Sequence, residues 1–552
     1  MERYGYVEDH CEGYPAAAWI WGHRLRIGQH WVEYLLEFLN VLAGFDYMLG
    51  QGITTGETPD RQEYTRFTRL GLRRFVFYDA SEKTHHPFDD AARKQLDAAL
   101  RNLCDRNAGS DEDPLTLACS LLRSLSVVEE SRSWFAKSLF PAHHNLLFWE
   151  GSRKGATKFV ERRSAEGLPP RQLDEGVNFD ARNFFARGGE IYYLILSAGT
   201  RHDPGRRQSI AESLQSLLTK PHAVLGELAD IIDRAWHEQM GDRKNGNPTG
   251  RLGWIPDPGC PLYKLIAEDV ATFLRAELDP LETLDLLAHL IGFHLTIYIY
   301  HRAHPKALSV NHENGSCLEL CRPCLPVDVM EGADGNIVRT ISAAAFREQE
   351  INIVHQFRTY IRSQVTAWVQ AIPDTEEPYK TLDSKVNAHF DLPKTKRNAF
   401  THGIDALIKQ LGSQPDRVRL IEGYTAELVK ILQPDFDKNF KTVHRKLAKA
   451  VGLAAPRNGP GARYVLGDNL LKALTLANTS DNGMTYDEFL QQLYRRYGLV
   501  VGVREAKEAG LLETQRVNVE YFERNRAALL DKMKYAGLAT EYSDATAVVG
   551  KH

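Results

Sequence analysis

The stretch LETLDLLAHLIGFHLTIYIY, residues 281–300, decides how this chain is read. Its run from Leu284 to Tyr300 is the most apolar in the sequence, yet it carries Asp285, His289 and His294. A helix that crosses a bilayer needs about 20 predominantly apolar residues, and this run falls short of that. A buried core helix is the expectation, with no membrane partner. Pro261–Ala276 precedes it as the other half of a helical pair around Asp279-Pro280. Downstream, Ser342–Ile372 carries Phe346, Ile353, Phe357, Ile361, Val365 and Trp368 at helical spacing. At 1.5 Å per residue it would run roughly 45 Å as a spine. Upstream, Trp31, Leu35, Phe38, Leu39, Leu42 and Phe45 make one wide apolar face of a helix over Gly28–Leu49. Further helices are expected over Asp90–Cys104, Pro114–Leu125, Asn183–Ser197 and, broken at Pro221, Ser209–Gln239, with a short strand at Arg73–Tyr78. The fold class is therefore mainly α.

Length and composition bound the rest. A chain of 552 residues exceeds one ordinary core. The polar DRKNGNPTGRLG at 242–253 is the best boundary in the first half, and PDTEEPYK ends the long helix. Four units follow: 1–241, 254–375 with a cysteine-rich turn, 376–455 ending basic, and 463–552. Apolar residues at 43% and charged ones at 25% are globular values. Seven cysteines, an odd and mostly scattered set, argue against a disulfide framework and for the cytoplasm. The start, MERYGYVEDH, has no basic region followed by an apolar core, so no secretory signal is expected. A net charge of −4 makes any basic surface a local one.

Cys317, Cys321 and Cys324 crowd into ENGSCLELCRPCLPVD, with His301, His304 and His312 just upstream. Thiolates at such spacing can reach one structural Zn²⁺ from a tight turn, with His304, His312 or Cys260 as the fourth ligand. The same Cys-x3-Cys-x2-Cys spacing occurs in iron–sulfur radical enzymes, but here it follows a helix instead of an early barrel strand. Three unliganded thiols in a reducing compartment are the third reading.

Two segments are locally basic. Gly151–Arg171 carries Arg153, Lys154, Lys158, Arg162, Arg163 and Arg171 on a glycine-punctuated loop. From Lys438 to Arg463 there is no acidic residue, and Lys438, Lys441, Arg445, Lys446 and Lys449 recur at three- and four-residue steps. Arg457 and Arg463 extend the charge through a glycine-rich connector. Positive charge without balancing carboxylates is what a phosphate-binding face requires, and an acidic protein partner would read it equally well.

Catalytic residues are few. Arg397 and His402 in RNAFTH form an Arg-x4-His pattern similar to that of the helical HEPN ribonucleases. That resemblance implies acid–base work by the histidine and anion stabilisation by the arginine. Nuclease activity is the alternative to a non-enzymatic protein.

The C-terminal ninety residues read as helix, helix, helix, hairpin. Leu466–Ala477 is followed by an Asn482-Gly483 turn, Thr485 and Glu488 form a capping box, and Asn518 caps a third helix closed by Gly537. Leu538–Tyr542 and Thr546–Val549 then flank a Ser543-Asp544 turn. This order resembles a winged helix, in which the third helix enters the major groove. Arg524, Arg526, Lys532 and Lys534 would then face DNA. The runs YVLGDNLLKALTLAN, MTYDEFLQQLYRRYGLVVG and LLDKMKYAGLATEYSDATAVV also resemble the C-terminal ends of large bacterial anti-phage defence proteins of the methylation-associated type. That resemblance implies a defence complex with a HerA/FtsK-like ATPase among its subunits, and it supplies no catalytic motif. The expected function is a DNA-binding or scaffold subunit of such a complex.

Overall fold

A computed structural model describes residues 15–51, 63–65, 72, 76, 88–103, 114–127, 138–147, 188–240, 248–251, 255–256, 259–304, 324–330, 337–373, 378–390, 392–412, 416–455, 461–479, 483–515, 517–542 and 546–550. The first half holds α1 (Pro15–Trp21), α2 (Trp31–Gly44), β1 (Glu63–Thr65), α3 (Phe88–Leu103), α4 (Pro114–Arg123), α5 (Gly188–Gly199), α6 (Pro204–Thr219), α7 (Ala223–Met240) and β2 (Pro248–Arg251). The middle holds α8 (Pro261–Phe273), α9 (Pro280–Ala303), β3 (Leu325–Pro326), α10 (Ile337–Gln370), α11 (Pro378–Phe390), α12 (Lys394–Leu411), α13 (Arg417–Phe436) and α14 (Val443–Ala450). The last part runs α15 (Asp468–Asn478), β4 (Met484–Thr485), α16 (Tyr486–Tyr497), β5 (Leu499–Val500), α17 (Val503–Glu508), α18 (Leu511–Gln515), α19 (Val519–Tyr535), β6 (Ala539–Glu541) and β7 (Ala547–Val549). The protein is mainly helical.

Helix α9 is the centre. Asp279 caps it, its carboxylate accepting from the amides of Leu281 and Glu282, and Pro280 occupies the first turn. A helix apolar on all sides must be covered on all sides. Here α1, α2, α10, α14 and α15 surround it. By length and composition alone α9 would cross a membrane, but 94% of its most apolar window lies buried inside the fold. Gly292 explains how close the cover comes: a Cβ there would lie 2.3 Å from Val451 Cγ1. Trp31 lies over His289 with ring centres 4.2 Å apart, and His289 Nδ1 reaches the Val451 carbonyl at 3.2 Å.

One buried apolar cluster runs from Ala16 to Val549, so it crosses the boundaries expected near 376 and 463. A satellite core on α3, α4 and α7 gathers Leu96, Leu100, Leu122 and Ile232. The helices on either side of these boundaries share one interior.

The expected helices stand with shifted ends. The helix expected from Gly28 starts at Trp31, because His30 and Glu33 form a reciprocal cap there. Pro221 separates α6 from α7. The spine α10 is 34 residues long, or roughly 51 Å. Pro434 sits inside α13 and is followed by a π-helical turn, Asp437–Lys441. A proline lacks the amide that an α-turn needs, and a widened turn is a common local answer. The strand expected at Arg73–Tyr78 lies mostly outside the described residues, as does the basic run 151–171.

In the last unit, the capping box of Thr485 and Glu488 and the Asn518 cap are both formed. The hairpin β6–β7 is present, and β4, which sequence reading missed, pairs antiparallel with β7. The sheet order is β4-β7-β6. Two short helices, α17 and α18, intervene before α19. Strand β5 leaves this unit and pairs in parallel with β3, from the middle of the chain.

Candidate functional site

The basic stretch is an amphipathic surface laid over the core. Phe440, Val443, Leu447 and Ala448 are buried, and Phe440 meets the Trp21 and Phe436 rings. Lys438 and Lys446 are exposed, and Lys441, Arg445 and Lys449 are half-buried. Arg445 pairs with Glu350 of α10 at 3.1 Å. Partial burial and the nearby Arg445 push the Lys449 ammonium below its ordinary range. Lys438, Lys441 and Lys446 make no ion pair among the described residues. Arg358 of α10, missed from sequence, lies beside this stretch and donates to Gln433 Oε1 at 3.1 Å.

Arg457 lies outside the described residues. Arg463 is drawn inward to a buried carboxylate. It lies 2.6 Å from Asp328 Oδ2, and Arg339 approaches the same oxygen at 2.9 Å. Asp328 is buried, and both guanidiniums share its one carboxylate. An acid-free window in sequence says nothing about a carboxylate 135 positions away.

The arginines and lysines of α19 are likewise engaged. Arg524 pairs with Glu520 one turn back, and Arg526 pairs with Asp487 at 2.5 Å. Lys532 bonds Asp468 at 2.9 Å and the Leu466 carbonyl at 2.6 Å, while Lys534 meets Glu541 at 2.5 Å. The face expected to meet DNA is therefore laced with carboxylates. Its buried side is anchored by Asn525, whose amide donates to the Val327 and Val501 carbonyls at 2.9 Å each. Its oxygen accepts from the Val329 amide at 2.9 Å.

Arg397 and His402 both lie on α12 and are exposed. Five residues separate them by about 140° around a helix of 3.6 residues per turn. Arg397 donates to the Leu392 carbonyl at 3.2 Å. Within one chain the pair does not converge on a common point.

Cys317, Cys321 and His312 lie outside the described residues. The Cys324 amide donates to the Tyr300 hydroxyl at 3.4 Å, and burial with Glu348 nearby pushes its thiol up to about 11. Both nitrogens of His304 are used, Nδ1 toward the Tyr300 carbonyl at 3.1 Å and Nε2 toward Asn352 at 3.3 Å. Cys260 stands as the residue before α8, with no side-chain cap bond. Among the described residues no group of three or more His, Cys, Asp or Glu is arranged to hold a metal ion. His444, which the sequence places among the basic residues of α14, is buried with neither ring nitrogen hydrogen-bonded among the described residues. Burial and the nearby His304 push its pKa down to about 3.

A dense polar arrangement among the described residues of the interior was not legible in sequence. Asp269 of α8 is fully buried. Its Oδ2 accepts from the Tyr497 hydroxyl at 2.6 Å and lies 3.1 Å from His294 Nε2. Its Oδ1 receives Arg496, which also approaches Glu268 at 3.4 Å. His294 Nδ1 lies 2.9 Å from the Tyr192 hydroxyl, so an imidazole carrying its proton on Nε2 satisfies both neighbours. Burial, then Asp269, raise the Tyr192 and Tyr497 hydroxyls well above the ordinary phenol range. This set ties α5, α8 and α9 to α16 of the last unit. No family model matches this sequence, and neither a curated protein nor a solved structure is similar to it.

Proposed function

We propose that this chain is a DNA-binding scaffold subunit of a cytoplasmic multi-protein complex, without a reaction of its own. The observation that carries the reading is the run Lys438, Lys441 and Lys446, which presents charge that no described carboxylate neutralises. Such lysines favour phosphates through counterion release, which is sequence-independent. The adjoining unit supports a winged-helix reading: in the order β4-β7-β6 the last strand lies between the other two, as in that fold. Because the bases of α19 are already paired, its role is positioning and protein docking more than reading bases. The resemblance of the last ninety residues supports a place in an anti-phage defence complex with a HerA/FtsK-like ATPase.

Anisotropy titration of the full chain with duplex DNA tests the reading. Binding is expected at low salt, falling with a log–log slope of about −0.9 per phosphate contact and changing little with sequence. No binding at low salt overturns it.

A structural Zn²⁺ on Cys317, Cys321 and Cys324 belongs to the same proposal. Protein purified without added metal is expected to carry about one Zn²⁺ per chain, since clustered thiolates prefer it to hard cations. Cys321→Ser should lose the metal; unchanged content in that variant removes the site.

A further inference from the structure

Where the last unit meets the body of the protein, a cavity of about 540 Å³ opens between α6, α8, α15, β4 and α16. That volume lies within the range of small-molecule sites. Three guanidiniums from three elements face it: Arg206 of α6, Arg275 just beyond α8, and Arg496 of α16. Two carboxylates share the wall. Asp203 holds Arg206 at 3.0 Å, and Glu268 lies 3.9 Å from Arg206 and 3.4 Å from Arg496. These pairs fix two of the guanidiniums without neutralising the third. Arg275 is exposed, and its side chain donates to Thr272 Oγ1 at 3.2 Å.

The walls differ in chemistry. Ala271, Ala477 and Met484 supply an apolar patch on which a flat ring can lie. On the side of the last unit stands Gln492, whose amide donates to the Asn478 carbonyl at 3.1 Å, while the Asn478 side chain is spent on the Leu474 carbonyl and the Tyr497 hydroxyl. Their positions are set before any ligand arrives. On the α6 side, a Cβ added at Gly205 would meet nothing nearer than Asp203 Oδ1 at 3.7 Å, so the helix start is open to the cavity. Arg275, which makes no ion pair among the described residues, the Gln492 side chain and an apolar patch around one space of this size together select a ligand with an anionic end and a flat end that can hydrogen-bond.

We propose that this cavity is a binding site for a small phosphate-bearing molecule of nucleotide size, gripped by Arg275 and Arg206 at its phosphate and met by Gln492 and the apolar patch at its ring. The ligand bridges the body and the last unit, so its binding holds the two together. Independent of any DNA contact, the site stands on the cavity alone.

Calorimetric titration of the full chain with ATP, AMP and inorganic phosphate tests it. At least one of the two nucleotides is expected to bind, and more tightly than inorganic phosphate by about tenfold or more, since the phosphate alone forgoes the apolar patch. Arg275→Glu should weaken nucleotide binding by about tenfold or more, because a charge-assisted bond becomes a repulsion. Ser209→Tyr, at an exposed position on the cavity wall, should block it by bulk with the thermal midpoint unchanged. Either nucleotide-independent binding of phosphate with equal affinity, no nucleotide binding at millimolar concentration, or wild-type binding in both variants overturns the proposal.

Discussion

Replacing Asp269 with alanine is expected to destabilise the protein by about 3–5 kcal/mol, the cost of leaving buried charge without its partner. One carboxylate serves His294, Tyr497 and Arg496, and each is largely withdrawn from water. Burial by itself would lower the Arg496 pKa, yet Tyr497 and Asp269 overcome this and hold it above its ordinary value. Without Asp269 the guanidinium keeps only Glu268 and the Leu265 carbonyl. Tyr497→Phe removes the hydroxyl's bonds to Asp269 and to Asn478 and should cost about 1–2 kcal/mol. Urea unfolding of the full chain measures both. A loss for Asp269→Ala no larger than that for Tyr497→Phe would show that the network is not coupled through the carboxylate.

The triple change Lys438→Glu, Lys441→Glu and Lys446→Glu is expected to abolish most duplex binding. Three lost phosphate contacts flatten the salt slope by about 2.7, and the added repulsion lowers affinity at every salt concentration. The fold should tolerate the change, since Phe440, Val443 and Leu447 do the packing on the other side. Arg463→Glu makes the contrast. It strips a partner from buried Asp328 and should therefore cost stability before it costs DNA affinity. Arg524→Ala, which frees only an exposed pair, should change neither much. If the triple variant binds like the unaltered chain, the lysines are not the phosphate face.

What could be read from sequence was local in origin. The helical class, the centrality of residues 281–300, the Thr485–Glu488 box and the final hairpin all follow from spacing within a dozen residues. Strand β4 escaped because two residues give no alternation to see, and its partner comes some sixty residues later. The basic stretch was visible, but the fate of each cation was not. Arg463, Arg526, Lys532 and Lys534 meet carboxylates supplied by other elements, and only folding brings these together. The Asp269 network is the extreme case. Its members come from positions 192, 269, 294, 496 and 497, and none of them stands in a motif. Apolar helical spacing predicts that such a residue is buried, never which polar neighbour it will find.

The covering of α9 has a consequence for synthesis. Its lids α14 and α15 begin roughly 140 and 165 residues after its last turn, so they do not yet exist when α9 leaves the ribosome. At 5–20 residues per second, the interval before α15 is made lasts roughly ten to thirty seconds. Throughout it, the side of α9 that these two lids will cover stands open on the nascent chain, although α1 and α2, made earlier, are available to cover the rest. The newborn polypeptide thus carries a partly uncovered apolar helix, a target for chaperones, until the C-terminal helices arrive.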